Sequence, residues 1–474
     1  MASSVIGLLT LSRHSDRLSF YQDATTYDAV QTNLTVLGYL QHLQNGADLR
    51  SMYIADGSPN QIQGISSLKG ENAQMSVVAD AGGEGGVIME SAAAALQGMY
   101  PIFDDSLLLA NGSTVTWSRV QLIPIESVEV EDSYYMEGYT GCNAWKTRLN
   151  KWYTSPDFLA QSQIANSFYK SISPLLGDRS ATLENAWNIF DFLNVQNIHN
   201  ASFAQLLQPG VLEQARYWAN YHEAGSFSDP DHSNVGNIAG QAILPLLLEN
   251  LETLSNTSTP LKMVNLFGAY KPFLSLFNLM DVTGFPSDSV VDYAATMLLE
   301  VHSDRTLRML FRNGTVGNFE AYPLFGASAV SNVPLDEFTT KLQPYALGSD
   351  ADWCSKCATT STMHGCDILA SLNGTSGSGR GGGGKFAPIT STEGRHHVSP
   401  VVAGLIGSIV TLALCGFLLV LSVLFLRRGS EKRATKRASS GSRVDRWAER
   451  REHQLGGGGE TTAAPYELGH RASS

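Results

Sequence analysis

Charge is scarce in this chain. Asp, Glu, Lys and Arg make up 16% of its 474 residues against 43% hydrophobic ones, so it can bury one large core or two smaller ones and is not a disordered protein. Basic excess is missing too, since the formal net charge is −12. An acidic body offers no footprint for a phosphate backbone, which excludes nucleic acid as a partner. There is no P-loop and no dinucleotide fingerprint. The glycine-rich turn Asp80-Ala81-Gly82-Gly83-Glu84-Gly85-Gly86 has the spacing of neither, and its carboxylates would repel an anion, so it reads as a tight strand-to-helix connection. Nothing in the chain implies a cofactor. Met1 to Leu11 lacks a basic leader and a small-residue cleavage site. Its apolar stretch is needed as a strand, so the expectation is a sequence that starts inside a longer precursor.

The longest stretch without charge ends in the 26-residue apolar run Val401 to Leu426, closed by Arg427-Arg428. At about 1.5 Å per residue these residues span roughly 39 Å as a helix, enough to cross a hydrocarbon core of about 30 Å with some tilt. The 48 residues from Arg427 to Ser474 hold 11 basic and 6 acidic side chains, which leaves the part before the run at −17. Positive charge directly after the run places the tail in the cytoplasm and the acidic part outside or in a lumen, with the lipid bilayer as a partner. Acceptor sequons at Asn33, Asn111, Asn200, Asn256, Asn313 and Asn373 all precede the run. Of the five cysteines, Cys415 lies within it, and Cys142, Cys354, Cys357 and Cys366 form an even set before it. In an oxidising compartment two disulfides are expected, with three connectivities open; zinc held with His364 is the competing reading.

The apolar run Val5-Ile6-Gly7-Leu8-Leu9-Thr10-Leu11 reads as a buried strand and feeds into Ser12-Arg13-His14-Ser15-Asp16-Arg17. At the carboxyl end of a strand in an open α/β sheet, two arginines flanking a histidine make an anion site. An imidazole can attack phosphorus, and Arg13 and Arg17 offer rigid forks that match phosphate oxygens.

Leu9 to Arg17 resembles the nucleophile motif of the histidine acid phosphatases, Arg-His-Gly-x-Arg-x-Pro, with Ser15 in the glycine position and Ser19 in the proline position. Asn33-Leu34-Thr35-Val36-Leu37-Gly38 is similar to the family's Leu-Thr-x-x-Gly segment. Trp187-Asn188-Ile189-Phe190-Asp191-Phe192 and Tyr270-Lys271-Pro272-Phe273 look like a membrane-anchored fungal branch of that group. The resemblance implies an α/β, phosphoglycerate mutase-like sheet flanked by helices. It also implies phosphomonoester hydrolysis through a phosphohistidine, with His14 as nucleophile and Arg13 and Arg17 holding the phosphate. The family adds a second arginine after a later strand and a His-Asp pair at a still later strand-to-helix junction. Here those positions fall near Asp80 and at Gly268-Ala269-Tyr270, so three expected participants are missing. Asp16, Glu84 and Asp304 are the candidates for the acid that protonates the leaving group.

Along the chain, strands are expected at Met75 to Asp80, around Val115 to Pro124, and from Lys262 to Phe267. A hairpin is expected at Tyr293 to Val301 with Thr306 to Arg312, its turn repeating the His-Ser-Asp-Arg string of residues 14 to 17. Helices are expected at Thr35 to Asn45, with Leu37, Leu40 and Leu43 on one face, and at Val87 to Met99. Four more, Pro156 to Leu176, Thr182 to Val195, Phe203 to Ala224 and Val235 to Leu254, form an inserted all-helical subdomain over about 155–254. The expected order is therefore an ectodomain over 1–368, a Gly/Ser-rich stalk over 369–400, a transmembrane helix over 401–426 and a basic disordered tail over 427–474. Two functions follow: a membrane-tethered phosphatase with an incomplete catalytic set, or a catalytically degenerate phosphatase-fold ectodomain acting as a ligand-binding or surface glycoprotein. In both, the ligand class is a phosphomonoester or another small anion.

Overall fold

A computed structural model describes residues 3–18, 32–80, 86–130, 133–285 and 287–374. Strand β1 (Val5–Arg13) is buried along its whole length. It lies inside a mixed sheet whose other strands are β2 (Met75–Asp80), β5 (Glu126–Val128), β6 (Met263–Gly268), β7 (Thr296–His302), β8 (Thr306–Arg312) and β10 (Val333–Pro334), in the order β10-β8-β7-β1-β6-β2-β5. The short β9 (Glu320–Ala321) pairs with β8. β1 runs parallel to β6 and antiparallel to β7, so its two neighbours come from segments more than 250 residues downstream. The strand pair expected around Val115 forms with an upstream partner: β3 (Phe103–Leu108) and β4 (Thr114–Arg119) make a separate two-stranded sheet.

Helix α1 (Val36–Leu49) is capped by Thr35, whose hydroxyl accepts from the Gly38 amide. The expected apolar face is corrected by the structure. Leu37 and Leu40 are 44% and 54% exposed, and the buried face is Gly38, His42, Asn45, Gly46 and Leu49. The reason is the neighbouring helix α2 (Val87–Met99), which approaches so closely that a Cβ on Gly46 would collide with the Ala95 carbonyl and one on Gly98 with the Leu43 carbonyl. Two bare backbones pack where leucines could not fit.

Between β5 and β6 the chain is helical: α3 (Asn143–Tyr153), α4 (Pro156–Leu176), α5 (Ala186–His199), the single turn α6 (Ala201–Ala204), α7 (Val211–Phe227) and α8 (Ile238–Ser255). The expected subdomain is present, and α3 extends it towards the amino end. Trp187, Phe190, Phe192 and Trp218 are buried in its core. α9 (Lys271–Leu279) follows β6, and α10 (Leu335–Leu342), α11 (Asp350–Cys357) and α12 (Cys366–Gly374) complete the described chain. Disulfides join Cys142 to Cys357 and Cys354 to Cys366. All four thiols are thus consumed, and the zinc reading with His364 falls.

No helix among the described residues is long and apolar enough to cross a membrane. The run 401–426, the tail, most of the stalk and Glu84 lie outside the described residues, as does the side chain of Asn373. The other five sequon asparagines, Asn33, Asn111, Asn200, Asn256 and Asn313, are exposed.

Candidate active site

The loop that carries His14 and Arg17 leaves β1 at its carboxyl end. There the His14 amide donates to the Gly268 carbonyl at 2.9 Å, and the Ala294 amide donates to the His14 carbonyl at 3.2 Å. The loop is therefore stitched to β6 on one side and to the segment entering β7 on the other. His14 is buried, and its Nδ1 lies 2.9 Å from the Ser15 carbonyl. A carbonyl only accepts, so Nδ1 carries the proton and the lone pair sits on Nε2. Burial, followed by the positive charge of Arg13 and Arg17, pushes the His14 pKa well below the usual imidazole range. A neutral ring with its lone pair on Nε2 is the nucleophilic form.

Arg13 points into a box of aromatic rings. Its guanidinium carbon lies 4.6 Å from the centre of the Tyr293 ring, 5.2 Å from Tyr270 and 5.5 Å from Trp187. Nη1 donates to the Val291 carbonyl, and burial lowers the Arg13 pKa from its ordinary value. Arg17 meets Asp191 of α5 in a fork, Nη1 to Oδ2 at 3.2 Å and Nη2 to Oδ1 at 3.0 Å, and both side chains are 1% exposed. Tyr293 packs 5.6 Å from the His14 ring and places its hydroxyl 3.4 Å from Asp191 Oδ1. The cavity left beside Arg13, Trp187, Asp191 and Tyr293 measures about 40 Å³, far below the roughly 300 to 1,000 Å³ of ordinary ligand pockets.

Of the three expected acid candidates, Asp16 and Asp304 lie among the described residues. Asp16 is buried, but it accepts from His199 Nε2 at 2.9 Å and from the Thr35 hydroxyl, which ties the loop to α5 and to the start of α1. Asp304 is corrected by position. It lies in the exposed turn between β7 and β8, where the Ser303 amide bonds the Ser4 carbonyl, at the amino end of β1. Nine residues of strand, roughly 30 Å, separate that end from His14. Glu84 lies outside the described residues.

The junction after β6 does fall beside His14, whose amide bonds the Gly268 carbonyl. Gly268 pairs with Arg13 in register, and Asp80, buried at the end of β2, lies next to it. Tyr270 donates its hydroxyl to Glu223 Oε2 at 2.6 Å; Glu223 Oε1 receives His222 Nδ1 at 2.6 Å, and His222 Nε2 meets the Tyr153 hydroxyl at 2.6 Å. Asp191, His199, Glu223 and Tyr293 are thus residues around the candidate site that the sequence did not assign. The available signal was a lone carboxylate inside the apolar run Ile189-Phe190-Asp191-Phe192-Leu193, which demands a buried partner.

No protein-family model matches the chain. Lysosomal acid phosphatase of Rattus norvegicus is 21% identical over 287 residues, and that of Homo sapiens is 20% identical over the same length; each alignment covers 60% of this chain and 64% of the relative. The chain thus spans somewhat less than two thirds of the curated relatives it matches. The phytase of Citrobacter braakii superposes with a TM-score of 0.51 at 12% identity, covering 74% of this chain and 99% of that one. A Hafnia alvei phytase solved with myo-inositol hexakis sulphate gives 0.49 at 12% identity, over 73% and 97%. The chain is thus similar, at low identity, to the lysosomal acid phosphatases, and its mixed sheet flanked by helices with an inserted helical subdomain is a phytase-like fold.

Proposed function

We propose that the chain is a membrane-tethered surface glycoprotein whose phosphatase-fold ectodomain no longer turns over phosphomonoesters at a useful rate. The observation that carries this reading is the junction Gly268-Ala269-Tyr270 beside His14. It presents no carboxyl group, and its one ionisable side chain is engaged with Glu223. Loss of a general acid alone slows such a reaction by about 10² to 10⁴-fold. A buried Asp80 near the position of a phosphate-binding arginine, and aromatic rings packed over Arg13, act in the same direction. The uncharged run 401–426, the basic residues after it and the exposed sequons support a tethered, extracellular or lumenal domain.

One observation favours a second reading, a slow phosphatase. The neutral His14 ring, with its proton on Nδ1, is poised to attack phosphorus through Nε2, forming a nitrogen–phosphorus bond as the bond to the leaving oxygen breaks. Water would then release phosphate from the imidazole. Aryl phosphates, whose leaving groups need little help from an acid, separate the two readings. Between about pH 3 and 7 the purified protein should match its His14→Ala variant, with no hydrolysis above background; turnover abolished by His14→Ala would establish the phosphatase. For topology, glycosidase treatment should increase gel mobility, and unchanged mobility would contradict a glycosylated exterior domain.

A further inference from the structure

The Asp191 carboxylate holds the place that an oxyanion would take on Arg17. Its two oxygens meet Nη1 and Nη2 side by side, which is how a guanidinium takes two oxygens of a phosphate. The contact belongs to a larger docking. Along α5, Trp187 lies against Arg13, Asp191 against Arg17 and His199 against Asp16. Positions 187, 191 and 199 are spaced by four and eight residues, so one face of a single helix touches the nucleophile loop at three places. Tyr293 closes the other side, with its ring over Arg13 and its hydroxyl at Asp191.

A cation fixed in the interior must be compensated, and Asp191 supplies the compensating charge. A second observation points to an anion. Arg13 Nε is buried and has no hydrogen-bond partner among the described residues, and the small cavity beside it is lined by Asp191 and Tyr293. An anion entering in place of the carboxylate would meet donors of both arginines.

We propose that the cleft is a latent site for a tetrahedral oxyanion and that Asp191 is its built-in occupant. This rests on the reading in which the wild-type site is silent. The test compares wild type, Asp191→Ala and Asp191→Asn by thermal melting and calorimetric titration with inorganic phosphate. Wild type should be insensitive to about 10 mM phosphate. Asp191→Ala should melt lower without phosphate and regain at least about 3 °C with it, and Asp191→Asn, which keeps the shape but not the charge, should bind phosphate more weakly. Adding Arg17→Met to Asp191→Ala should remove the phosphate response. Folded variants that ignore phosphate would overturn the proposal, as would a wild type that responds equally. Variants that stay unfolded in saturating phosphate would do the same, because the carboxylate would then be a structural requirement that an anion cannot replace. Turnover of an aryl phosphate by wild type would refute the silent-site reading whatever the variants do. Absence of phosphate binding in the variants of a silent wild type would remove Asp191 as occupant and leave that reading standing.

Discussion

Tyr270 donates its hydroxyl to Glu223 at 2.6 Å, across 47 residues of sequence and from the junction between β6 and α9. The same carboxylate takes the Nδ1 proton of His222, so one buried acceptor serves two donors from two elements. Glu223→Ala should take a shared buried acceptor from Tyr270 and His222 and cost about 3 kcal/mol, whereas Tyr270→Phe, which removes one donor and leaves Glu223 with His222, should cost about 1 kcal/mol. Urea titrations of the two variants check the ratio.

His42 provides a pH signature. Burial lowers its pKa from 6.5 to about 4, while its Nε2 holds the Arg13 carbonyl at 3.0 Å and its ring packs edge-on against Phe267. The unfolded chain therefore takes up a proton below about pH 6.5 that the folded chain refuses until about pH 4, so stability is complete above that window and falls as pH drops through it. The loss is about 3 kcal/mol for a shift of this size. His42→Gln should flatten the dependence of stability on pH between about 4 and 6.5; an unchanged slope would show that His42 does not set it.

The α1–α2 contact separates backbone packing from hydrophobic burial. Gly46→Ala forces a methyl into the Ala95 carbonyl, a backbone atom that cannot swing aside, and should cost about 3 kcal/mol. Leu40→Ser, on the exposed face of the same helix, should stay within about 0.5 kcal/mol of wild type. Chemical denaturation of both variants decides whether glycine or leucine holds the helix.

Cys142 and Cys357 are 215 residues apart and join the loop before α3 to the end of α11. Replacing both by Ser should lower stability by about 2 to 5 kcal/mol, and non-reducing peptide mapping of the wild-type protein should recover Cys142–Cys357 and Cys354–Cys366 as linked peptides.

Legibility followed the range of the forces involved. β1, β2, α2, α4 and the placement of Arg13, His14 and Arg17 at a strand's carboxyl end were all readable, because buried strands and caps leave local patterns. The partners of those residues were not, since Asp191 lies 174 positions from Arg17 and no local pattern links them. The leucines of α1 misled for the opposite reason: their spacing is helical, but close approach to α2 turned the glycine face inward. Helix α3 escaped notice because none of its residues is fully buried and its apolar signal is weak.

The claim that the cleft is silent is tested most directly at the imidazole of His14. The protein is mixed with a phosphorus-labelled aryl phosphate at about pH 5, quenched in alkali, where a phosphorus–nitrogen bond survives, and its peptides are read by mass spectrometry. The account predicts no phosphoryl group on the peptide containing His14 at any mixing time. A phosphorylated His14 that forms and decays at the rate of product release would contradict it and make this chain a working phosphatase.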